Sequence, residues 1–77
     1  SFDISVMPNP ATDVIRVSKT AQGAADIRII DGAGRTVRSL IITDLSLVID
    51  LREFERGIYY IDVQWGNSKK TQRIVLI

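Results

Sequence analysis

The chain of 77 residues contains neither cysteine nor histidine. The absence of cysteine excludes disulfides, thiolate metal sites and cysteine nucleophiles, so packing alone must stabilise the fold. The absence of histidine removes the usual general base near neutral pH and the commonest metal ligand. We therefore predict that the chain is not an enzyme and requires no cofactor.

Strong net charge and long apolar runs are also lacking. The formal net charge is +1, which provides no general attraction to nucleic acid. The run Leu40-Ile41-Ile42 is far shorter than the ~20 residues of a membrane-spanning helix, so we expect no direct membrane insertion. No signal peptide opens the sequence, and export would require a signal elsewhere in a longer precursor. The length predicts one domain.

The acidic and aromatic side chains do not form a recognisable site. Most acidic residues alternate with apolar ones, which predicts that they lie on solvated strand faces. Asp44, Asp50 and Asp62 are candidates for a calcium site, but the spaced acidic loop of such sites is missing. Tyr59–Tyr60 and Trp65 are candidates for a sugar-stacking platform, although core packing and cross-strand pairing are the favoured interpretation.

Alternation of apolar and polar residues predicts seven short strands and no α-helix. Turn signals at Asp31-Gly32-Ala33-Gly34 and Gly66-Asn67-Ser68 predict two hairpins. Short strands at this spacing are typical of an immunoglobulin-like antiparallel β-sandwich. The predicted strands are residues 2–7, 12–18, 24–31, 35–43, 45–51, 58–65 and 69–77.

The only two prolines, Pro8 and Pro10, lie between the first two predicted strands. Each proline lacks an N–H group and fixes φ, and Pro10 forces Asn9 into an extended conformation. Strand pairing cannot continue through this segment. We therefore predict a stiff, extended corner at which the chain crosses from one sheet to the other.

The connection before the sixth strand has a second informative pattern. Leu51 and Phe54 are spaced to face inward and close one end of the sandwich. Gly57 allows the backbone to reverse, and Tyr59 is placed to bury its ring and bond a nearby backbone group through its hydroxyl. Taken alone, this corner indicates structure and not function, because such corners recur across unrelated proteins.

Taken in order, the segments 7–13, 31–37, 57–61 and 69–75 resemble a known family. It is the type A C-terminal sorting domain of the type IX (Por) secretion system of certain Gram-negative bacteria. The resemblance covers essentially the whole chain, and Pro-Asn-Pro-Ala is its most specific part. The residues that match the signal motifs are Pro8, Asn9, Pro10, Gly34, Arg35, Val37, Gly57 and Tyr59.

The resemblance implies a function in protein transport. Residues 1–77 would be the last domain of a longer precursor with an N-terminal cargo, recognised while folded by the outer-membrane translocon. The precursor would cross the periplasm and reach the outer-membrane surface or the medium, where a sortase and attachment machinery process many family members. The alternative is a retained immunoglobulin-like interaction or spacer domain of a secretion-apparatus or extracellular surface protein.

One departure from the family concerns the end of the chain, where basic residues are common in members and this sequence is apolar. The basic residues lie earlier in the last strand. One hypothesis is that the last hairpin, residues 58–77, supplies an edge for strand addition by the recognising partner, with Lys69 and Lys70 where a protecting charge is expected. Solvation of the strand is the favoured interpretation of these lysines. Edges at residues 2–6 and 73–77 also allow a dimer in isolation. The candidate recognition residues are Lys69, Lys70, Arg73, Ile74 and Val75.

Overall fold

A computed structural model describes residues 2–77, which form seven strands and no helix long and apolar enough to cross a membrane. The strands form two antiparallel sheets, one in the order β1-β2-β5 and the other in the order β4-β3-β6-β7. The predicted all-β sandwich is confirmed, and each predicted strand boundary lies within two residues of the observed one. The strands are β1 Ile4–Met7, β2 Val14–Lys19, β3 Ala25–Asp31, β4 Thr36–Ile42, β5 Ser46–Asp50, β6 Gly57–Trp65 and β7 Ser68–Leu76.

The core lies between the two sheets and is built from alternate residues of both central and edge strands. Side chains of this kind each stabilise the fold by about 1.5–3 kcal/mol when they are fully buried. This packing provides the stability that disulfides provide in many small domains. The fully enclosed members, with 0% exposure, include Ile15, Val17, Ile27, Ile29, Ile61, Val63 and Ile74.

Both predicted hairpins are confirmed, since β3 pairs with β4 and β6 pairs with β7. The second turn is shorter than predicted, because Ser68 already pairs with Trp65 and only Gly66-Asn67 remain as the loop. Gly66 has φ +59°, and its missing Cβ permits the left-handed conformation that such a two-residue turn requires.

Two side chains depart from the predicted pattern. Leu45 is predicted as the first residue of the fifth strand, on the same face as Ile49, but it is 43% exposed, because β5 begins one residue later and Leu45 lies in the preceding loop. Asp62, which the alternation places on a solvated face, is only 2% exposed. Its carboxylate is covered by partners on the neighbouring strands, Arg28 in β3 and Thr71 in β7.

Candidate functional site

The proline corner brings Asn9 alongside the outer edge of β7. The Nδ2 group of Asn9 donates to the carbonyl oxygen of Arg73 at 3.1 Å, and its Oδ1 accepts from the N–H of Val75 at 3.0 Å. An amide side chain has the same donor and acceptor as a peptide group, so Asn9 pairs with β7 as a neighbouring strand would. The flanking Pro8 and Pro10 are both exposed and restrict the backbone on each side of it.

Ala11 continues this pairing with its backbone. Its N–H donates to the carbonyl oxygen of Val75 at 2.8 Å, and its carbonyl oxygen accepts from the N–H of Ile77 at 2.9 Å. The predicted crossing from one sheet to the other is wrong, because β1 and β2 both belong to the three-stranded sheet and pair with each other. The corner instead bonds to the edge of the four-stranded sheet and then returns to its own sheet. The edge at residues 73–77, where we expected pairing between copies, is therefore occupied within the chain.

The β3–β4 turn is organised by the carboxylate of Asp31. Oδ1 accepts from the backbone N–H groups of Ala33 at 3.0 Å and Arg35 at 2.9 Å, and Oδ2 accepts from Arg35 Nε at 3.0 Å. These bonds, first among them the one from the Arg35 backbone, lower the pKa of Asp31. Gly34 has φ +87°, which is a conformation that glycine adopts without strain. The matched Gly34 and Arg35 thus have roles inside the turn.

Tyr59 closes the corner before β6. Its side chain is 7% exposed, and its hydroxyl donates to the carbonyl oxygen of Glu55 at 2.5 Å, which confirms the predicted backbone bond. The ring centroid lies 5.7 Å from that of Phe54, so the predicted closure of this end is confirmed. Burial is the main reason that the pKa of Tyr59 is raised. Gly57 has φ +145°, which favours glycine at the start of the strand.

Arg56 connects three segments at the same end of the sandwich, and the sequence analysis missed it. Its Nη1 group donates to the carbonyl oxygen of Thr12 in the proline corner and, at 3.5 Å, to that of Ile77. Its Nη2 group donates at 3.2 Å to the carbonyl oxygens of Leu51 and Arg52. A loop arginine has no periodicity to distinguish it, so only the three-dimensional arrangement reveals this role.

Three of the four matched segments, 7–13, 31–37 and 57–61, meet at one end of the molecule, which we call the motif end: residues 8–13, 31–37, 51–59 and 75–77. The fourth matched segment, 69–75, runs along β7 toward the opposite end. Phe2 lies at the opposite end, where its ring stacks on Trp65 with 5.8 Å between centroids. Trp65 ends β6, whose nine residues begin at Gly57 in the motif end. A strand of this length spans about 27 Å, so nearly the whole molecule separates Phe2 from the motif end.

The candidate recognition residues divide into exposed and buried groups. Lys69, Lys70 and Arg73 are exposed, and we call these three residues the basic edge. Lys69 Nζ lies 3.9 Å from Asp62 Oδ2, whereas no ion pair within residues 2–77 involves the other two. Ile74 is fully buried and packs in the core, and Val75 is half-buried, with its backbone bonded to the proline corner.

Asp62 links the basic edge to the centre of the four-stranded sheet. Its Oδ2 accepts from Arg28 Nε at 3.2 Å and from Arg28 Nη2 at 2.7 Å, and its Oδ1 accepts from the hydroxyl of Thr71 at 2.9 Å. These partners explain how a carboxylate on the outer face of a strand becomes buried without losing its hydrogen bonds. Within residues 2–77, no three acidic side chains gather to hold a metal ion.

These features define a class of protein before any comparison. The molecule is a small two-sheet sandwich in which the matched polar groups stabilise turns and edges, while three exposed basic residues line the β7 edge. The family described as secretion system C-terminal sorting domain matches residues 5–77. The chain belongs to this family, whose members are type IX sorting signals that mark proteins for export across the outer membrane to the surface or the medium. Comparison with curated proteins gives no match.

Proposed function

We propose that residues 1–77 are the last domain of a longer precursor and act as a folded address for its export. An N-terminal cargo crosses the periplasm with this domain attached, and the outer-membrane translocon then binds the domain. The observation that carries the proposal is the family match over residues 5–77. The geometry supports it, because a cargo joined before Phe2 leaves the motif end clear at the opposite end of the molecule.

Processing at the surface is the second part of the proposal. A sortase removes the domain by cleavage upstream of Ser1 or near it, and the attachment machinery retains the cargo at the cell surface. The position suits such a cut, because β1 begins at Ile4 and cleavage before Phe2 would divide no strand. The released domain would keep both of its sheets.

We propose further that the translocon contacts the basic edge. The polar groups of Asn9, Arg35 and Tyr59 are already bonded within the chain, so these residues act chiefly by maintaining the shape of the domain. Lys70 and Arg73 are exposed and free of ion pairs within residues 2–77, which leaves their charges available to an acidic partner.

The first test is export of a reporter that carries residues 1–77 at its C-terminus and a Sec signal at its N-terminus. The fusion is expressed in a strain with a working type IX system and in a translocon-null strain. We expect the reporter at the surface or in the medium only in the working strain, and its mass shows whether the domain is removed. Folded reporter retained in the periplasm of both strains would refute the proposal and favour a spacer domain.

The contact at the basic edge has its own matched test. The variant Lys70→Gln/Arg73→Gln removes exposed charges from the edge, and the control Arg16→Gln removes an exposed charge that is likewise outside any ion pair within residues 2–77 but lies on the other sheet. We expect the first variant to remain folded and to lose export, while the control is exported normally. Equal export of both folded variants would show that the basic edge protects the strand and does not contact the translocon.

A further inference from the structure

The four-stranded sheet has two outer edges of opposite character. The β7 edge is half covered by residues 9–11, and its uncovered part has the charges of the basic edge. The β4 edge, at the other side of the sheet, pairs with no strand outside β3 within residues 2–77. An open strand edge of this kind is a template for pairing with another chain unless charge or a covering segment protects it.

The β4 edge lacks such protection. Arg38 is the only charged residue in β4, and its guanidinium lies 5.0 Å from the centroid of the Phe54 ring and does not point outward. Ile41, by contrast, is 62% exposed, and Val37 is 45% exposed. The edge therefore presents aliphatic side chains and no outward charge.

The backbone groups of Ser39 and Ile41 face away from the sheet. The N–H of Asp31, at the end of β3, donates to the carbonyl oxygen of Arg35, just before β4. Every second β3 residue counted back from Asp31, including Ile27, therefore directs its backbone N–H and C=O groups toward β4. Ile27 lies opposite Leu40, whose groups consequently face β3. The peptide groups of the residues on either side of Leu40 then point outward, by the alternation of an antiparallel ladder.

We propose that two copies of this chain pair through their β4 strands in antiparallel orientation, with the two-fold axis beside Leu40. In this register Leu40 lies opposite Leu40 of the second copy, and Ser39 lies opposite Ile41. Arg38 lies opposite Ile42, so no two charges are opposed. The outward groups of Ser39 and Ile41 bond each other across the axis, and the two four-stranded sheets become one continuous sheet.

The same two-fold pairing at β7 is unfavourable, so within the four-stranded sheet the β4 edge is the favoured one. The backbone N–H and C=O groups of Val75 point away from β6 and bond the proline corner. By alternation, the backbone groups of Thr71 and Lys69 also point away from β6, toward the open edge. A two-fold axis beside Lys70 places two lysines opposite each other, and an axis beside Thr71 places Lys69 opposite Arg73. Like charges directly opposite on paired strands are destabilising.

The first experiment measures self-association by sedimentation equilibrium over a wide range of concentrations. Strand pairing alone buries less surface than the ~1,200 Å² at which stable interfaces begin, so we expect a weak, concentration-dependent dimer. Ile41→Lys should raise its dissociation constant by about tenfold or more, because each dimer then contains two charges at the shared edge. Val14→Lys is the matched control, since Val14 is 44% exposed but lies in the central strand β2.

A cross-linking experiment tests the register and does not depend on the stability of the lysine variant. The chain contains no cysteine, so Ser39→Cys introduces a unique thiol beside the proposed axis. A short bismaleimide should join Ser39→Cys copies efficiently and Thr71→Cys copies poorly. A monomer at every concentration, or equal cross-linking of the two variants, would overturn the inference. The outcome is independent of export, so it neither supports nor refutes the sorting function.

Discussion

Replacing Asn9 by alanine removes the two hydrogen bonds that connect the proline corner to β7. Each such bond contributes about 0.5–1.5 kcal/mol to stability. Asn9 is exposed, so water can form hydrogen bonds with the backbone groups that lose Asn9 as a partner. Each lost bond should therefore cost an amount in the lower half of the range for one hydrogen bond. We therefore expect Asn9→Ala to lower the free energy of unfolding by about 1–2 kcal/mol. For a domain of this size, that loss corresponds to a fall in Tm of about 4–16 °C.

Urea denaturation and amide hydrogen exchange together measure this effect. Asn67→Ala is the control, because Asn67 is an exposed asparagine in the β6–β7 turn, and surface changes of this kind usually stay within about 0.5 kcal/mol. In Asn9→Ala the amide of Val75 should also exchange faster than in the control, since it loses its acceptor. Equal stability of the two variants with an unchanged Val75 amide would refute the view that Asn9 acts as a strand neighbour.

Three further predictions concern other parts of the fold. Tyr59→Phe should cost about 1 kcal/mol in urea denaturation, because the buried ring stays and one hydrogen bond is lost; no change would contradict the corner bond. Asp62→Asn should cost about 1–3 kcal/mol, whereas Asp26→Asn, on the neighbouring strand and exposed, should cost little. Hydrogen bonds from Arg52 hold the pKa of Asp50 at about 2, below its ordinary 3.8. The stabilisation from this pair should therefore be present above pH 3.8 and disappear as the pH falls through 2, and NMR titration of Arg52→Gln should show a higher pKa for Asp50.

The architecture could be predicted because its determinants are local. Alternation located the strands, and turn residues such as Gly34 and Gly66 located the hairpins. Pro8 and Pro10 indicated where pairing must stop, because a proline has no N–H to donate. The backbone bond of Tyr59 was also predictable, since a buried phenol requires a partner.

The contacts that assemble the motif end could not be predicted, because they join residues far apart in the chain. Asn9 bonds residues 64 and 66 positions away, and nothing near it in sequence specifies that register. Arg56 and Asp62 are ordinary charged residues by local pattern, and only the fold supplies their partners. Leu45 was misassigned for a simpler reason, since alternation does not show at which residue a strand begins.

The assignments to individual residues change how the family motif is interpreted. Asn9, Asp31 and Tyr59 form their hydrogen bonds within the domain and keep one end of the sandwich in shape. A substitution at these positions should impair export by unfolding the signal, whereas a substitution at the basic edge should impair export of a folded signal. Under the proposed function, the translocon therefore recognises the folded domain and not a linear segment.

The measurement that tests this proposal most directly is the temperature dependence of export for reporters carrying the wild-type chain or Asn9→Ala. Export is compared at a temperature where both domains are folded and at one where only the variant is unfolded. The amount of intact periplasmic reporter shows that proteolysis is not the cause of any loss. We predict export of both reporters at the lower temperature and of the wild-type reporter alone at the higher one. Efficient export of the unfolded variant would contradict a signal that is recognised in its folded state.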